Sequence, residues 1–174
     1  MRTPGTLATV NAAMSREGRM GRKDAATRDH DERTAAVARR LALVAGLVDV
    51  AIAGLAVSDA VDKLNEAPPT QGADFRFVTF VIWSVIAATA AAIGVLNLIG
   101  AGAMWRRKPF GRVLVIIAST LGTVATILFG YNVLLIAAAL LVLHIAALVA
   151  AARPGTRRAL RAEPTVSEPP WPKV

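Results

Sequence analysis

The chain lacks cysteine altogether and is poor in aromatic residues, which make up 5% of its 174 residues. Without thiols it has no disulfide, no CxxC redox motif and no thiolate metal site. It also lacks a glycine-rich phosphate loop, an HExxH metal motif and a GxSxG nucleophile elbow. From these absences we predict that the protein is not an enzyme and holds no cofactor and no metal ion.

Charge is missing from a run of 40 residues, 113–152, although Lys, Arg, Asp and Glu make up 18% of the chain. One membrane span needs about 20 apolar residues, so this run suits two spans. The net charge of +8 could indicate a nucleic-acid partner. Positive charge beside uncharged apolar runs is, however, typical of membrane proteins. We therefore predict that the lipid bilayer is a partner and that nucleic acid is not.

The predicted fold is an all-α integral membrane protein with four transmembrane helices in two hairpins. Pro68, Pro69 and Gly72 separate the first two spans, and the turn residues Gly130 to Asn132 separate the last two. The predicted segments are a basic arm 1–40 (disordered, then helical from about 24), span 41–58, outer loop 59–76, span 77–105, basic loop 106–112, span 113–129, tight outer turn 130–132, span 133–152 and a disordered basic and Pro-rich tail 153–174.

The orientation follows from Lys and Arg alone, because cytoplasmic loops carry the excess of these residues. The arm, the basic loop and the tail together hold 18 of them, and the two outer segments hold 2. Both termini are therefore predicted to be cytoplasmic. The richness in Ala and Arg is typical of genomes of high G+C content, and we expect the cytoplasmic (inner) membrane of a bacterium. The start of the arm is open, since Met14 and Met20 are alternative first residues.

Polar residues inside the spans share one depth. Asp49 lies nine residues after Arg40, Asn97 nine before Arg106, and His144 nine before Arg153. Nine helical residues rise about 13.5 Å, which is close to the middle of a hydrocarbon core about 30 Å thick. The same count on the third span reaches Leu121. The polar residues beside that position are Thr120 and Thr123.

Helical spacing places Asp49 and Asn97 on stripes of small residues, which mark helix contact faces in membranes. We therefore predict a hydrogen-bonded cluster near mid-bilayer of Asp49, Asn97 and His144 with Thr120 or Thr123. One interpretation is structural, in which the cluster sets the register of the helices. The other is a proton or cation relay through the Asp–His pair. We favour the structural interpretation.

Basic residues next to the spans set the topology, and they are also candidates for contact with anionic lipid headgroups. They are Arg39, Arg40, Arg106, Arg107, Lys108, Arg112 and Arg153. His30 lies among acidic residues, and we interpret it as part of a solvated helix surface and not as a metal ligand.

Four spans with an acidic residue in the first resemble the architecture of the small multidrug resistance transporters. Such transporters use a Glu in the first helix and a binding chamber lined with aromatic residues. This chain has Asp49 instead, few aromatic residues and a 40-residue arm, so we do not assign it to that family.

Three functions remain as hypotheses. The first is a non-enzymatic membrane protein that acts through helix–helix and protein contacts, such as an accessory subunit, an envelope factor or a phage-exclusion factor. The second is a small proton-coupled transporter or channel that uses Asp49 and His144. Because four helices leave little room for a pathway, this protein would be a homo-oligomer. The third is a pore-forming lysis protein.

Overall fold

The computed structural model describes residues 5–66, 73–129 and 134–161. This part of the chain is all-helical and contains no strand. Its helices are α1 (Gly5–Glu66), α2 (Ala73–Trp105), α3 (Pro109–Phe129), α4 (Leu134–Ala152) and α5 (Pro154–Arg161). The predicted outer turn 130–132 and residues 67–72 of the predicted outer loop lie outside the described residues.

Four of the helices are long and apolar enough to cross a membrane, as the sequence predicts. Each apolar stretch of span length lies within one of the helical ranges Ala25–Lys63, Phe77–Trp105, Pro109–Phe129 and Leu135–Ala152. Large aliphatic side chains on the outside of the bundle, such as Leu55, Ile127 and Val142, are well exposed. Soluble monomers seldom expose apolar surface on this scale, so the outer surface of the bundle suits contact with lipid.

Helix α1 is longer at both ends than its predicted span 41–58. It is continuous from Gly5 to Glu66, which at ~1.5 Å per residue is about 93 Å. The segment predicted to be disordered before residue 24 is therefore helical from Gly5, and the start of the predicted outer loop, 59–66, continues the same helix. No proline occurs between residues 5 and 66, so nothing in this stretch removes a helical hydrogen bond.

The four long helices form a ring in which α1 packs on α2 and α4, and α3 packs on α2 and α4. At Gly46 and Gly94 the backbones of α1 and α2 lie close together. A Cβ on Gly94 would lie 2.8 Å from the Gly46 carbonyl oxygen and 3.0 Å from the Asp49 Cβ. Only glycine permits this approach, and it brings the backbones of α1 and α2 together one turn from the polar residue on each helix.

The basic loop predicted at 106–112 is shorter in the structure, because α3 begins at Pro109. The Lys108 amide donates to the Ala103 carbonyl (2.9 Å) and the Arg107 amide donates to the Met104 carbonyl (3.0 Å). These two bonds form a Schellman motif, with Arg107 in the left-handed region at φ 55°. Pro109 then starts α3, since its fixed φ suits a first helical position.

The predicted disordered tail begins instead with a short helix, α5. Its buried residues Gly155, Thr156, Ala159 and Leu160 follow helical spacing and share one face. That face packs mainly on α1. The Thr156 hydroxyl donates to the Ala150 carbonyl at 2.8 Å, which ties α5 to the end of α4. Residues 162–174, including the Pro-rich part of the tail, lie outside the described residues.

Candidate functional site

Three polar side chains from three helices meet inside the bundle, and we call Asp49, Asn97 and His144 the polar cluster. The Asn97 Nδ2 donates to Asp49 Oδ2 at 3.5 Å. The His144 Nε2 lies 3.5 Å from Asp49 Oδ1. Their exposed fractions are 5% for Asp49, 0% for Asn97 and 1% for His144. The structure thus brings together the predicted residues of α1, α2 and α4, at distances near the upper limit of a hydrogen bond.

Small residues make this meeting possible. On α1, the stripe predicted beside Asp49 (Ala42, Ala45, Gly46, Ala53 and Ala56) is buried throughout. On α3, Gly122 faces His144 so closely that a Cβ at this position would overlap the Cδ2 and Nε2 atoms of the imidazole. The ring therefore occupies the space that a side chain on α3 would fill. Packing against a bare helix backbone positions the imidazole beside Asp49.

The two predicted threonines of α3 do not join the cluster. Thr120 is exposed, and its hydroxyl donates to the Ile116 carbonyl of its own helix at 2.8 Å. Thr123 likewise donates to the Ser119 carbonyl at 2.9 Å. Threonine hydroxyls commonly bond back to the preceding turn in this way. The prediction of Thr120 or Thr123 as the α3 member was wrong, because depth alone does not say which way a side chain faces.

The polar residue that α3 does bury is Ser119, which is fully buried. Gly111, Val115, Ala118, Ser119 and Gly122 form the buried face of α3. This pattern of mostly small residues at helical spacing was available in the sequence. It would have identified Ser119 as the inward-facing polar residue of α3, one turn before the glycine that receives His144.

Three buried polar atoms have no hydrogen-bond partner among the described residues: Asn97 Oδ1, Ser119 Oγ and His144 Nδ1. With Nε2 protonated toward Asp49, the Nδ1 of His144 is a free acceptor, as is the amide oxygen of Asn97. The Ser119 hydroxyl is the one group of the three with a proton to donate. The polar cluster thus has hydrogen-bonding capacity beyond the contacts that hold Asp49.

A second buried aspartate lies at the end of the bundle that we call the basic end, formed by residues 25–40, 106–112 and 153–161. Asp31 accepts two hydrogen bonds from Arg158 on α5, from Nε at 2.7 Å and from Nη2 at 3.0 Å. Its exposed fraction is 6%. The Arg158 guanidinium holds the pKa of Asp31 below its ordinary value, mainly through these hydrogen bonds, while burial opposes the change.

The ion pair was not predicted from the sequence, although the spacing of small residues on α1 could have indicated that Asp31 is buried. Asp31, Thr34, Ala35 and Ala38 are buried and continue the small-residue stripe of Asp49 toward the N-terminus. The stripe therefore marks one contact face over a much greater length than the predicted span. His30 beside Asp31 is exposed, with its Nδ1 4.0 Å from Asp31 Oδ1, and this placement suits the predicted solvated surface.

The basic residues predicted to set topology or contact lipid have three different environments. Arg112 donates to the carbonyls of Ala151 (2.7 Å) and Ala152 (2.9 Å), so it caps the C-terminus of α4. Arg107 pairs with Glu32 at 3.6 Å. The others, Arg39, Arg40, Arg106, Lys108 and Arg153, are partly or fully exposed.

In the described parts of the chain, no three His, Asp or Glu side chains are grouped so that they could hold a metal ion. A cavity of about 470 Å³ lies between α2 and α3, with Ala92, Leu96, Ala125 and Phe129 in its wall. No member of the polar cluster lines that cavity.

The chain matches no protein-family model, no curated protein and no solved structure.

Proposed function

We propose that the protein is a multi-pass protein of a bacterial cytoplasmic membrane, with both termini in the cytoplasm, that acts through contacts with a protein partner. Accessory subunits, envelope factors and phage-exclusion factors are the classes that fit. In this proposal the polar cluster sets helix register and performs no chemistry.

The observation that carries the proposal is the arm of α1. Thirty-six residues, from Gly5 to Arg40, precede the predicted first span as continuous helix, a length of about 54 Å at ~1.5 Å per residue. Residues 25–30 are exposed on every side of the helix. Most helical stability in proteins comes from packing against a neighbour, so the exposed polar stretch 25–30 suits a segment that binds another protein.

The polar cluster supports the same proposal. Both carboxylate oxygens of Asp49 face partners within the chain. All three cluster side chains are buried in a single copy. Polar contacts of this kind hold together helices that a bilayer gives no hydrophobic reason to associate.

Purification in mild detergent tests the proposal. The full chain is compared with a variant that lacks residues 2–29, which removes most of the arm, including all but one residue of the exposed stretch 25–30, but leaves Asp31 and α5 in place. We expect the full chain to retain a stoichiometric partner and the shortened chain to lose it at an unchanged melting temperature. Removal of residues 162–174 is the control, and it should leave the partner bound. If the full chain purifies as a homo-oligomer without another protein, the proposal is wrong.

A second candidate is a proton-coupled transporter or channel, and the Asp49–His144 contact is the observation that favours it. His144 Nε2 faces a carboxylate at 3.5 Å while its Nδ1 is free of any described partner, which is suitable for passing a proton across the ring. Asp49→Asn separates the two candidates in proteoliposomes, with Thr120→Val as control. Loss of ion or solute flux in Asp49→Asn alone, with assembly intact, supports transport. Absence of flux from the unaltered protein ends this candidate.

A further inference from the structure

The acidic side chains at the basic end are already paired. Each of the three described there has an arginine partner: Asp29 with Arg33 at 2.8 Å, Asp31 with Arg158 at 2.7 Å, and Glu32 with Arg107 at 3.6 Å. No carboxylate of this end is therefore left to neutralise a further cation within the described part of the chain.

Many cations at the same end have no carboxylate partner among the described residues. They are Arg28, Arg39, Arg40, Arg106, Lys108, Arg153, Arg157 and Arg161. All but Arg39 are exposed. This excess of positive charge needs no anion from the fold itself, so it is available to a ligand from outside.

Two of these cations, Arg106 and Lys108, lie beside exposed aromatic residues. Arg106 and Lys108 occupy the turn between α2 and α3, directly after Trp105 and just before Phe110. Trp105 is 66% exposed and Phe110 is 50% exposed. An exposed tryptophan at the end of an apolar helix is typical of the headgroup region of a bilayer. The turn therefore presents its cations beside a surface that suits glycerol and acyl groups.

Arg153 and Arg157 form a second pair of cations near this turn. Arg112, one turn after Lys108, donates hydrogen bonds to the carbonyls of Ala151 and Ala152. Arg153 directly follows Ala152 in the chain. Arg157 follows four residues later on α5, exposed and away from the face that packs on α1. The Arg112 bonds thus bring the start of α3 beside the α4–α5 junction.

We propose that Arg106 and Lys108, with Arg153 and Arg157, bind the phosphate of an anionic phospholipid. The phosphate meets the cations, and the rest of the lipid lies against Trp105 and Phe110. Setting membrane topology requires only that the cations be present on one side. A binding site must in addition bind anionic lipids more tightly than zwitterionic lipids. This difference in affinity can be measured.

Trp105 is a built-in reporter for the measurement. In a Trp83→Phe, Trp171→Phe background it is the sole tryptophan. The protein is reconstituted in phosphatidylcholine with increasing amounts of either brominated phosphatidylglycerol or brominated phosphatidylcholine, and the quenching of Trp105 is followed. Each cation near an anionic surface corresponds to about a fivefold change in affinity. We expect a preference for phosphatidylglycerol of about fivefold or more.

The Arg106→Gln, Lys108→Gln variant should reduce that preference toward one. Its quenching by brominated phosphatidylcholine should stay unchanged, which shows that Trp105 still lies in the bilayer. The Arg28→Gln, Arg33→Gln variant removes the same charge farther along the arm and should keep the preference. Arg153→Gln, Arg157→Gln should reduce it as well, and serves as the test if the first variant does not assemble. Soluble glycerol phosphate should not compete.

Three results would overturn the proposal. One is equal quenching by the two brominated lipids in the unaltered protein. Another is a preference that survives removal of either cation pair. The third is full competition by soluble glycerol phosphate, because the site would then recognise a free phosphate compound and not a lipid.

Discussion

Two buried aspartates on one face of α1 have very different hydrogen-bonding partners. Asp31 and Asp49 are 18 residues apart, which is five helical turns, so they lie on the same face and are almost equally buried. Asp31 meets a full counter-charge, the Arg158 fork, at 2.7 and 3.0 Å. Asp49 meets an amide and an imidazole at 3.5 Å.

The difference follows from the surroundings of each aspartate. The basic end borders polar segments rich in arginine, and an arginine on α5 reaches Asp31 with both donors of its fork, a strong arrangement. The interior of an apolar bundle carries few ionisable groups, because they are costly there. Asp49 therefore has partners that packing places near it. Charge fixes the α1–α5 contact, whereas shape fixes the polar cluster.

Gly122→Ala should have the largest effect, since it alters shape at the polar cluster. The new Cβ would overlap the His144 ring, so either α3 moves away from α4 or the imidazole leaves Asp49. Overpacking a filled interior costs about 1–3 kcal/mol. Unfolding of the purified protein in detergent, followed by circular dichroism, measures the loss.

Gly54→Ala is the matched control, because a Cβ at Gly54 would meet nothing within 4 Å. Alanine is the better helix former by about 0.5–1 kcal/mol, so this variant should be as stable as the parent or slightly more so. Equal destabilisation by the two substitutions would show that Gly122 does not face the His144 ring.

Asn97→Leu should have an intermediate effect. Leucine is similar in size but donates no hydrogen bond, so Asp49 Oδ2 loses its 3.5 Å partner. Hydrogen bonds between membrane helices contribute about 0.6 kcal/mol on average and up to about 1.7 kcal/mol. The same unfolding experiment measures the change. Thr120→Val, which removes an exposed hydroxyl bonded within its own helix, should leave stability unaltered, and an equal cost for Thr120→Val would contradict the assignment.

Much of this arrangement could be predicted from the sequence. Long uncharged runs predicted four span-length helices, and counting from the flanking arginines predicted that Asp49, Asn97 and His144 share a depth. The count failed on α3, where Thr120 and Thr123 lie at the right depth but bond to their own helix. Depth and facing are independent quantities, and only the buried face of α3 supplies the second.

Helix α5 shows what composition does not reveal. The segment Pro154 to Arg161 begins with Pro-Gly and is strongly basic, and this composition led us to predict disorder. An eight-residue helix is marginal in water by itself. It forms here because its apolar face packs on α1 and because Arg158 meets Asp31, a residue 127 positions earlier. A contact so distant in sequence leaves no local pattern to detect.

Arg158→Gln should have the smallest effect on the whole protein, because it loosens α5 while the four long helices remain packed. Hydrogen exchange of the α5 amides, expressed as protection over the intrinsic rate, measures the docking. Arg161→Gln removes the same charge from an exposed position of α5 and should leave protection unaltered.

The pH dependence of α5 protection sharpens this test. Because Arg158 lowers the pKa of Asp31 from its ordinary 3.8, the ion pair contributes fully above that value and is lost as the pH falls through the lowered one. Protection should therefore be constant from pH 7 to about pH 5 and fall only below about pH 4. A fall in protection already between pH 7 and pH 5 would mean that a group other than Asp31 holds α5 in place. The α1–α5 contact would then not depend on the charge of Asp31, and the proposed difference from the polar cluster would be lost.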